Sequence, residues 1–293
     1  MIFRQINSSE KFFSLVLFSL SVFLPTIIFS CNKSKAADKS PEGYDFSNGY
    51  RYTMPNELNE ISGLSYHSKD SGVFAINDEK GFLFKIHFAN PLRVERWKFG
   101  NGADYEDIVF HDSTFYVLKS KGSLDKIRFS VDSTSLQNFP IPASGKNEFE
   151  SLYYDDSLQR VVAICKSCEA DNKSQVSCFG FNPKTESFDT SFPIFTTQLN
   201  QSDGEKVRFK PSAAAIHPLT HELFILASVN HMLIVYNKDK TVKESYHLDP
   251  TLFKQPEGMT FTPKGDLLIS NESASSGPAD ILIFRYHPLN KRQ

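Results

Sequence analysis

Short runs of alternating apolar and polar residues follow one another along most of the chain, and this pattern predicts β-strands. The runs are rich in Phe, Tyr and β-branched residues. Polar turns such as Lys69-Asp70-Ser71-Gly72 and Pro263-Lys264-Gly265-Asp266 separate them. Phe, Tyr and β-branched side chains suit a pleated, half-buried sheet, and the polar turn residues suit tight reversals of the chain. The pattern therefore predicts an all-β fold.

Five of the strand-like runs begin with nearly the same short phrase. The second residues of the phrases lie at positions 62, 106, 150, 212 and 257, so the spacings are 44, 44, 62 and 45 residues. A period near 44 is typical of propeller blades, and the long third unit indicates an insertion of about 17 residues. The phrases are Ile61-Ser62-Gly63-Leu64, Tyr105-Glu106-Asp107-Ile108, Phe149-Glu150-Ser151-Leu152, Pro211-Ser212-Ala213-Ala214 and Pro256-Glu257-Gly258-Met259.

The last repeat contains only three strand-like runs, whereas the other four repeats contain four each. The run Gly49 to Met54 precedes the first repeat and has the position of the missing outer strand. We expect it to pair with Asp280 to Tyr286 and to close a five-bladed β-propeller, because closure protects the sheet edges. The propeller domain is predicted to cover residues 49–293.

The N-terminal segment has the features of an export signal. Arg4 and Lys11 precede an apolar stretch from Phe12 to Phe29, and Ile28-Phe29-Ser30-Cys31 resembles a bacterial lipobox. We expect a signal peptide at residues 1–30, a lipidated Cys31, and a polar tether at residues 31–48 that anchors a lipoprotein to the membrane. The alternative is an uncleaved anchor helix, because an apolar run of this length can just span a bilayer. Both interpretations place the propeller outside the cytoplasm, in the cell envelope.

Three further cysteines, Cys165, Cys168 and Cys178, lie close together in the third repeat. In an oxidising compartment two of them can form a disulfide. We expect the bridge to join the second and third strands of that repeat and to leave one thiol free. The Cys165-Lys166-Ser167-Cys168 motif alone does not complete a tetrahedral zinc site.

The charge balance argues against a nucleic-acid partner. The 293 residues carry 32 Lys and Arg against 34 Asp and Glu, a formal net charge of −2, without a basic stripe. A phosphate-binding surface would need clustered basic side chains. We expect a monomer that contacts the membrane through its lipid and that binds a small ligand or an envelope protein.

The repeated phrases resemble the SdiA-regulated family of bacterial exported proteins. The distinctive residues are Glu60 to Leu64 and Pro256 to Met259, together with Asn77 to Gly81 and Gly265 to Glu272. The resemblance implies a five-bladed propeller, distantly similar to the six-bladed NHL type, that has a calcium site and no established activity. The fourth repeat departs from the pattern, because Ser212-Ala213-Ala214 lacks the acidic residue.

Four glutamates are expected around one mouth of the central channel, because they enter the inner strands of four repeats: Glu60, Glu106, Glu150 and Glu257. The turns after the second strands lie on the same face and bring further polar side chains: Asn77, Glu79, Lys119, Lys166, Asn271 and Glu272. Crowded carboxylates are unfavourable unless something neutralises them. A calcium ion with about 6 to 8 oxygen ligands would do so. The alternative is a purely structural network in which the two lysines pair with the glutamates.

The carboxylate-rich mouth is compatible with two functional classes. The first is a binding module of the cell envelope in which a calcium-capped mouth recognises a ligand. The second is a metal-dependent hydrolase, of the lactonase or phytase-like phosphoesterase kind, that uses the same carboxylates. The second rests on analogy between folds, and the chain contains no G-x-S-x-G or phosphate-binding loop. The sequence therefore favours the binding module.

Overall fold

The computed structural model describes residues 40–196, 208–275 and 277–288. Within these ranges the chain forms twenty β-strands and one short 3-10 helix, Asn56–Leu58, and the strands make five antiparallel sheets of four strands. The inner strand of each sheet contacts the inner strands of the preceding and following sheets, so the five sheets complete a ring. The prediction of an all-β, five-bladed β-propeller is confirmed.

The strands are numbered in chain order, and four successive strands make each of the first four blades. Blade 1 contains β2 (Ile61–His67), β3 (Gly72–Asn77), β4 (Phe82–His87) and β5 (Arg93–Lys98). Blade 2 contains β6 (Tyr105–His111), β7 (Thr114–Lys119), β8 (Ser123–Phe129) and β9 (Thr134–Pro140). Blade 3 contains β10 (Asn147–Asp155), β11 (Arg160–Cys168), β12 (Gln175–Asn182) and β13 (Ser187–Phe195). Blade 4 contains β14 (Ala213–Ile216), β15 (Leu223–Ala227), β16 (Met232–Tyr236) and β17 (Val242–His247).

Blade 5 is assembled from both ends of the domain. It contains β18 (Pro256–Phe261), β19 (Leu267–Asn271) and β20 (Asp280–Phe284), and its outer strand is β1 (Tyr50–Thr53). Strand β1 pairs with β20 in an antiparallel register from Tyr50 opposite Ile283 to Thr53 opposite Asp280. The predicted closure is confirmed, and the ring is held by backbone hydrogen bonds between distant parts of the chain.

Five hydrophobic clusters form the core, one at each interface between neighbouring blades. The second strand of a blade lies between two such clusters, and β3, β15 and β19 are buried along their whole length. The outer strands β13 and β17 instead alternate between exposed and covered positions. The position of a strand in its blade therefore determines whether its sequence is continuously apolar or alternating.

Residues 40–48 belong to the folded domain, which corrects their assignment to a polar tether. Tyr44 and Phe46 are 9% and 6% exposed and pack between blades 4 and 5. The Tyr44 hydroxyl donates a hydrogen bond to the Gly265 carbonyl at 2.5 Å, in the turn between β18 and β19. The physical reason is the burial of these two aromatic rings, which outweighs the polarity of their neighbours.

Residues 1–39 carry the expected signal peptide, Cys31 and most of the tether, and they lie outside the described residues. Within the described ranges, no helix is long and apolar enough to cross a membrane.

The disulfide of blade 3 differs from the expected bridge between two strands. Cys165 and Cys168 are joined within β11, with their Cα atoms 5.9 Å apart, which is an ordinary spacing for a disulfide. Cys178 on β12 is a buried free thiol that lies opposite Ile164 in the ladder. The register explains the correction, because it places an apolar side chain, and not a cysteine, opposite Cys178.

Candidate functional site: a carboxylate-rich channel mouth

Three of the four predicted glutamates share one backbone feature. Glu106, Glu150 and Glu257 are the residues that the ladder skips near the start of their inner strands, so each sits in a β-bulge. A bulge leaves its extra residue unpaired and redirects the side chain. We call these three residues the ring glutamates, because the bulges place them at one mouth of the channel in blades 2, 3 and 5.

In blade 1 the corresponding bulge falls on Gly63, and no carboxylate is presented there. Its φ is +56°, and a Cβ at this position would lie 2.6 Å from Oδ1 and 2.7 Å from Cα of Asp107 in blade 2. Glycine is therefore required both for the left-handed backbone and for the close approach of two inner strands. The fourth predicted glutamate, Glu60, lies just before this strand.

Glu60 joins a different group of carboxylates. Its ligand atom and those of Asp78 and Glu272 all lie within 4.8 Å of one another. Asp78 follows the second strand of blade 1, and Glu272 follows the second strand of blade 5, so the group spans the interface between these blades. We call these three residues the interblade carboxylates.

Local hydrogen bonds fix the interblade carboxylates. The Asn77 side-chain oxygen accepts hydrogen bonds from the backbone amides of Glu79 and Lys80, both at 3.1 Å, and this turn carries Asp78. The Asp78 amide in turn donates to the Glu60 carbonyl at 3.1 Å. In blade 5 the Gln255 side-chain amide donates to the Glu272 carboxylate. One oxygen of Asp78, Oδ1, is buried without a hydrogen-bond partner.

Burial and mutual repulsion make the mouth carboxylates unusually basic. Burial raises the pKa of Glu272 to about 8, and the charges of Glu257, Asp78 and Glu60 contribute to the rise. Burial, followed by the charge of Glu60, raises the pKa of Asp78 to about 6. Burial likewise raises the pKa of both Glu106 and Glu257 to about 7. Near neutral pH these groups therefore gain from a bound proton or a bound cation.

The two predicted lysines have different partners. Lys166 contacts the Glu150 carboxylate and lies 3.6 Å from Glu148, as the structural-network alternative requires. Lys119 instead bonds the buried Asp125 at 2.7 Å, within blade 2. One half of the mouth therefore contains an internal cation. Glu60, Asp78 and Glu272 make no ion pair to a described Lys, Arg or His.

Two further residues of the inner strands and their entry loops support the mouth. Asp107 is buried, and its carboxylate accepts hydrogen bonds from the Ile108 amide at 2.8 Å and the Leu152 amide at 2.6 Å. It therefore ties the inner strand of blade 2 to that of blade 3. Burial raises the pKa of Asp107 well above its usual range. In blade 4, Ser212 supplies no carboxylate, and its hydroxyl donates to the Pro256 carbonyl of blade 5 at 2.8 Å.

Asp78 is the candidate ligand that sequence reasoning missed, although a signal was present. Asn77-Asp78 and Asn271-Glu272 occupy the same position, at the end of the second strand of blades 1 and 5. This repeated pair, an asparagine followed by an acidic residue, identifies Asp78 and Glu272 as equivalent candidate ligands. The sequence analysis named Asn77 and Glu79 in this turn and passed over Asp78 between them.

Below the mouth the five inner strands line a cavity of about 330 Å³ that opens toward the opposite face. Each inner strand contributes one apolar residue at its upper end, and polar side chains such as Ser65 and Thr260 also line the cavity: the apolar residues are Leu64, Ile108, Leu152, Ala214 and Met259.

No protein-family model and no curated protein matches this sequence. Solved structures do resemble the fold. Glutaminyl cyclase from Myxococcus xanthus has a TM-score of 0.53 at 14% identity, over 80% of this chain and 94% of that one. A putative oxidoreductase (glucose dehydrogenase) from Thermus thermophilus has a TM-score of 0.51 at 9% identity, over 81% and 100%. At such low identity these likenesses show that the chain is a β-propeller, and they show the fold alone.

Proposed function

We propose that the protein is a calcium-binding β-propeller of the cell envelope that uses its carboxylate mouth to bind a ligand. The convergence of Glu60, Asp78 and Glu272 within 4.8 Å carries this proposal. Three acidic side chains at such separations repel one another unless a cation lies between them. Membership of the SdiA-regulated family, suggested by the repeated phrases, is part of the same proposal.

The donor set suits a hard divalent cation. All three side chains are carboxylates, and Ca²⁺ prefers oxygen ligands and tolerates irregular geometry. The buried Oδ1 of Asp78 has no hydrogen-bond partner, so a ligand position is already desolvated and unused. The Asn59 side-chain oxygen, adjacent in sequence to Glu60, is also buried without a partner. Glu60, Asp78 and Glu272 would hold the ion, and bound water or a ligand would complete its coordination.

The described N-terminal residues meet the ring away from this mouth. The first described residues pack beside the turn between β18 and β19, at the end of the ring opposite the carboxylates. A lipid at Cys31, which we propose as the membrane anchor, would therefore attach to a chain that meets the ring away from its mouth. The ligand would be a small molecule or an envelope protein, bound by a monomeric propeller.

Thermal unfolding tests the proposal. Excess Ca²⁺ should raise the melting temperature of the wild-type domain relative to chelator, by an amount that grows with the free ion concentration. Mg²⁺ should have a smaller effect, because it dehydrates reluctantly and demands octahedral geometry. Asp78→Asn should remove most of the calcium effect, whereas Asp132→Asn, in an exposed turn of blade 2, should retain it. Equal melting temperatures in calcium and chelator would refute the site.

A metal-dependent hydrolase is the second candidate, and one observation favours it. Burial raises the pKa of Glu106 and of Glu257 to about 7, the range in which a carboxylate serves as a general base near neutral pH. Such a base beside a bound cation could activate water. A panel of lactones and phosphate monoesters tests this candidate: turnover that requires Ca²⁺ and falls at least about a hundredfold in Glu257→Gln would support it. Absence of calcium-dependent turnover would leave the binding module.

A further inference from the structure

A second group of metal-ligating side chains lies in blade 3, at the end of β11. The Sγ atoms of Cys165 and Cys168 and a carboxylate oxygen of Asp171 all lie within 4.8 Å of one another. The two cysteines are 0% and 2% exposed, and a disulfide joins their sulfur atoms in the oxidised protein. The group therefore combines two potential thiolates with one carboxylate in a single short segment of the chain.

The turn after β11 brings Asp171 back to the cysteines. The Asp171 amide donates a hydrogen bond to the Cys168 carbonyl at 3.0 Å, and a backbone bridge between Asn172 and Gln175 closes the loop before β12. Ser177 donates two hydrogen bonds to Oδ1 of Asp171, from its amide at 3.0 Å and from its hydroxyl at 2.6 Å. These bonds fix one oxygen of the carboxylate and leave the other for a different partner.

The other oxygen of Asp171 has no such partner. Oδ2 is buried and accepts no hydrogen bond. A buried carboxylate oxygen without a donor has lost its hydration without compensation. The sulfur atoms of a disulfide carry no proton, so they cannot satisfy this oxygen in the oxidised state. A cation held by the same sulfur atoms after reduction would satisfy it.

The third cysteine of blade 3, Cys178, does not belong to this group. It lies opposite Ile164 in the ladder, and both side chains pack in the cluster between blades 3 and 4. Cys165 and Cys168 instead pack in the cluster between blades 2 and 3, on the opposite face of the sheet. Burial also raises the pKa of the Cys178 thiol, which keeps it protonated. Cys178 therefore provides an internal control for the other two cysteines.

Two thiolates and one carboxylate form a donor set that suits Zn²⁺. Thiolate ligands select soft and borderline metals, whereas Ca²⁺ prefers oxygen ligands. Zn²⁺ takes four ligands in tetrahedral geometry, so a water molecule would complete the set. A surface pocket of about 500 Å³, lined by Cys168 and Glu169 among others, brings solvent to this end of β11.

We propose that Cys165, Cys168 and Asp171 form a redox-controlled zinc site. A dithiol reductant supplies two electrons and two protons to the disulfide, which gives two thiols and converts the reductant to its own disulfide. Binding of Zn²⁺ then displaces the two thiol protons, because the thiolate is the metal ligand. The oxidised protein excludes the metal, since its sulfur atoms are bonded to each other. This site is independent of the calcium site at the channel mouth.

Cobalt spectroscopy tests the site directly. The wild-type domain is titrated with Co²⁺ before and after reduction with a sulfur-free phosphine, in excess Ca²⁺ so that the mouth carboxylates are occupied. Reduced wild type should show the thiolate-to-cobalt charge-transfer band and the strong visible bands of tetrahedral Co²⁺, and Zn²⁺ should abolish both. Oxidised wild type, which has the identical sequence, should show neither set of bands.

Variants identify the ligands. In the reduced protein Ser177→Ala should weaken Zn²⁺ binding about tenfold, because it removes a hydrogen bond to a ligand. Asp171→Asn should weaken binding further, because the ligand itself loses its charge. Asp156→Asn, in the exposed turn between β10 and β11, is the matched control and should retain wild-type affinity. Cys178→Ser should also retain it, whereas Cys165→Ser/Cys168→Ser should lose the thiolate band.

Melting curves show that the bands come from folded protein. Zn²⁺ should raise the melting temperature of reduced wild type by more than it raises that of oxidised wild type. The inference would be overturned by a reduced wild type that lacks the thiolate band or stays unfolded in excess Zn²⁺. Loss of the band in Cys178→Ser, or equal zinc affinity in Asp171→Asn and Asp156→Asn, would also contradict the proposed ligand set. None of these results depends on whether the mouth binds calcium.

Discussion

The two halves of the channel mouth differ in whether a basic side chain neutralises their crowded carboxylates. Toward blade 3, Glu150 contacts the ammonium group of Lys166, which lies between the bridged cysteines Cys165 and Cys168. Toward blades 1 and 5, Glu60, Asp78 and Glu272 converge without a described basic partner. Glu150 is therefore neutralised internally, whereas Glu60, Asp78 and Glu272 are the residues that we propose to bind an external cation.

This difference also bears on the two alternatives that the sequence left open. A calcium site and a lysine-paired network were competing accounts of one set of carboxylates. The structure separates the carboxylates into two groups, because Glu150 pairs with Lys166 while Glu60, Asp78 and Glu272 converge without a described basic partner. Repeated residues in a ring can therefore diverge in role while they keep their position in the repeat.

Among the variants, the largest loss of stability is expected from replacing Lys166. Lys166→Met leaves Glu150 buried beside Glu148 without a cation, and loss of one partner of a buried pair costs about 3 kcal/mol in unfolding free energy. Denaturant unfolding in chelator measures this loss. Lys166→Met/Glu150→Gln should lose clearly less, because no uncompensated charge remains. Equal losses in the single and double variants would contradict the pairing.

A somewhat smaller effect is expected from the disulfide. Cys165→Ser/Cys168→Ser removes a bridge around a short loop, worth about 2 kcal/mol in the chain-entropy description. Without the bridge, Lys166 should no longer be held beside Glu150, so the pH dependence of stability should also change. Cys178→Ser provides the control, because this thiol is buried but unbridged. Identical unfolding of the double-serine variant and wild type would show that the bridge does not hold Lys166.

Calcium affinity tests the role of the interblade carboxylates. Glu272→Gln should weaken Ca²⁺ binding at least about tenfold, which corresponds to about 1.4 kcal/mol, because one charged ligand becomes neutral. Glu150→Gln should weaken it less, since Glu150 already faces Lys166. Glu95→Gln on an outer strand is the matched control for a general loss of negative charge. A larger loss of calcium affinity in Glu150→Gln than in Glu272→Gln would contradict the proposed calcium site at the interblade carboxylates.

The pH dependence of stability tests the raised pKa values of both groups of carboxylates together. The pKa values of Asp78, Glu106, Glu257 and Glu272 rise to about 6, 7, 7 and 8 in the fold, from 3.8 for Asp and 4.5 for Glu. Between about pH 4.5 and 8 the native state thus binds more protons than the unfolded state, so stability falls as pH rises. In chelator the melting temperature should therefore drop markedly between pH 5 and pH 8, because four buried carboxylates must each lose a proton.

Calcium should weaken or reverse that drop, because the ion binds the deprotonated carboxylates. Melting curves at both pH values, with calcium and with chelator, measure this coupling. A melting temperature that rises with pH in chelator would contradict the raised pKa values.

The fold was predictable because its determinants repeat. The phrases around Ser62, Glu106, Glu150, Ser212 and Glu257 mark every inner strand, and the missing outer strand of blade 5 identified the partner of β20. The packing of Tyr44 and Phe46 was not predictable in this way, because two aromatic residues in a polar stretch form no periodic pattern. Their burial depends on a groove that exists only after blades 4 and 5 have come together.

The site was predictable only in part. The repeat identified Glu60, Glu106, Glu150 and Glu257. A bulge decides where the side chains of the last three point, and local sequence does not reveal a bulge reliably. The convergence of Asp78 and Glu272 depends on blades 1 and 5 becoming neighbours through ring closure. The pairing of Cys165 with Cys168 depends on the irregular end of β11, which the spacing of three cysteines cannot specify.

The most direct test of the difference between the two halves is the position of a bound ion. Crystals of the wild-type domain grown with Ca²⁺ and soaked in Tb³⁺, an oxygen-seeking substitute with strong anomalous scattering, would locate it. The account predicts one anomalous peak among Glu60, Asp78 and Glu272, and none among the ring glutamates beside Lys166. A peak among Glu106, Glu150 and Glu257 in the wild type, or no peak at the mouth, would contradict it.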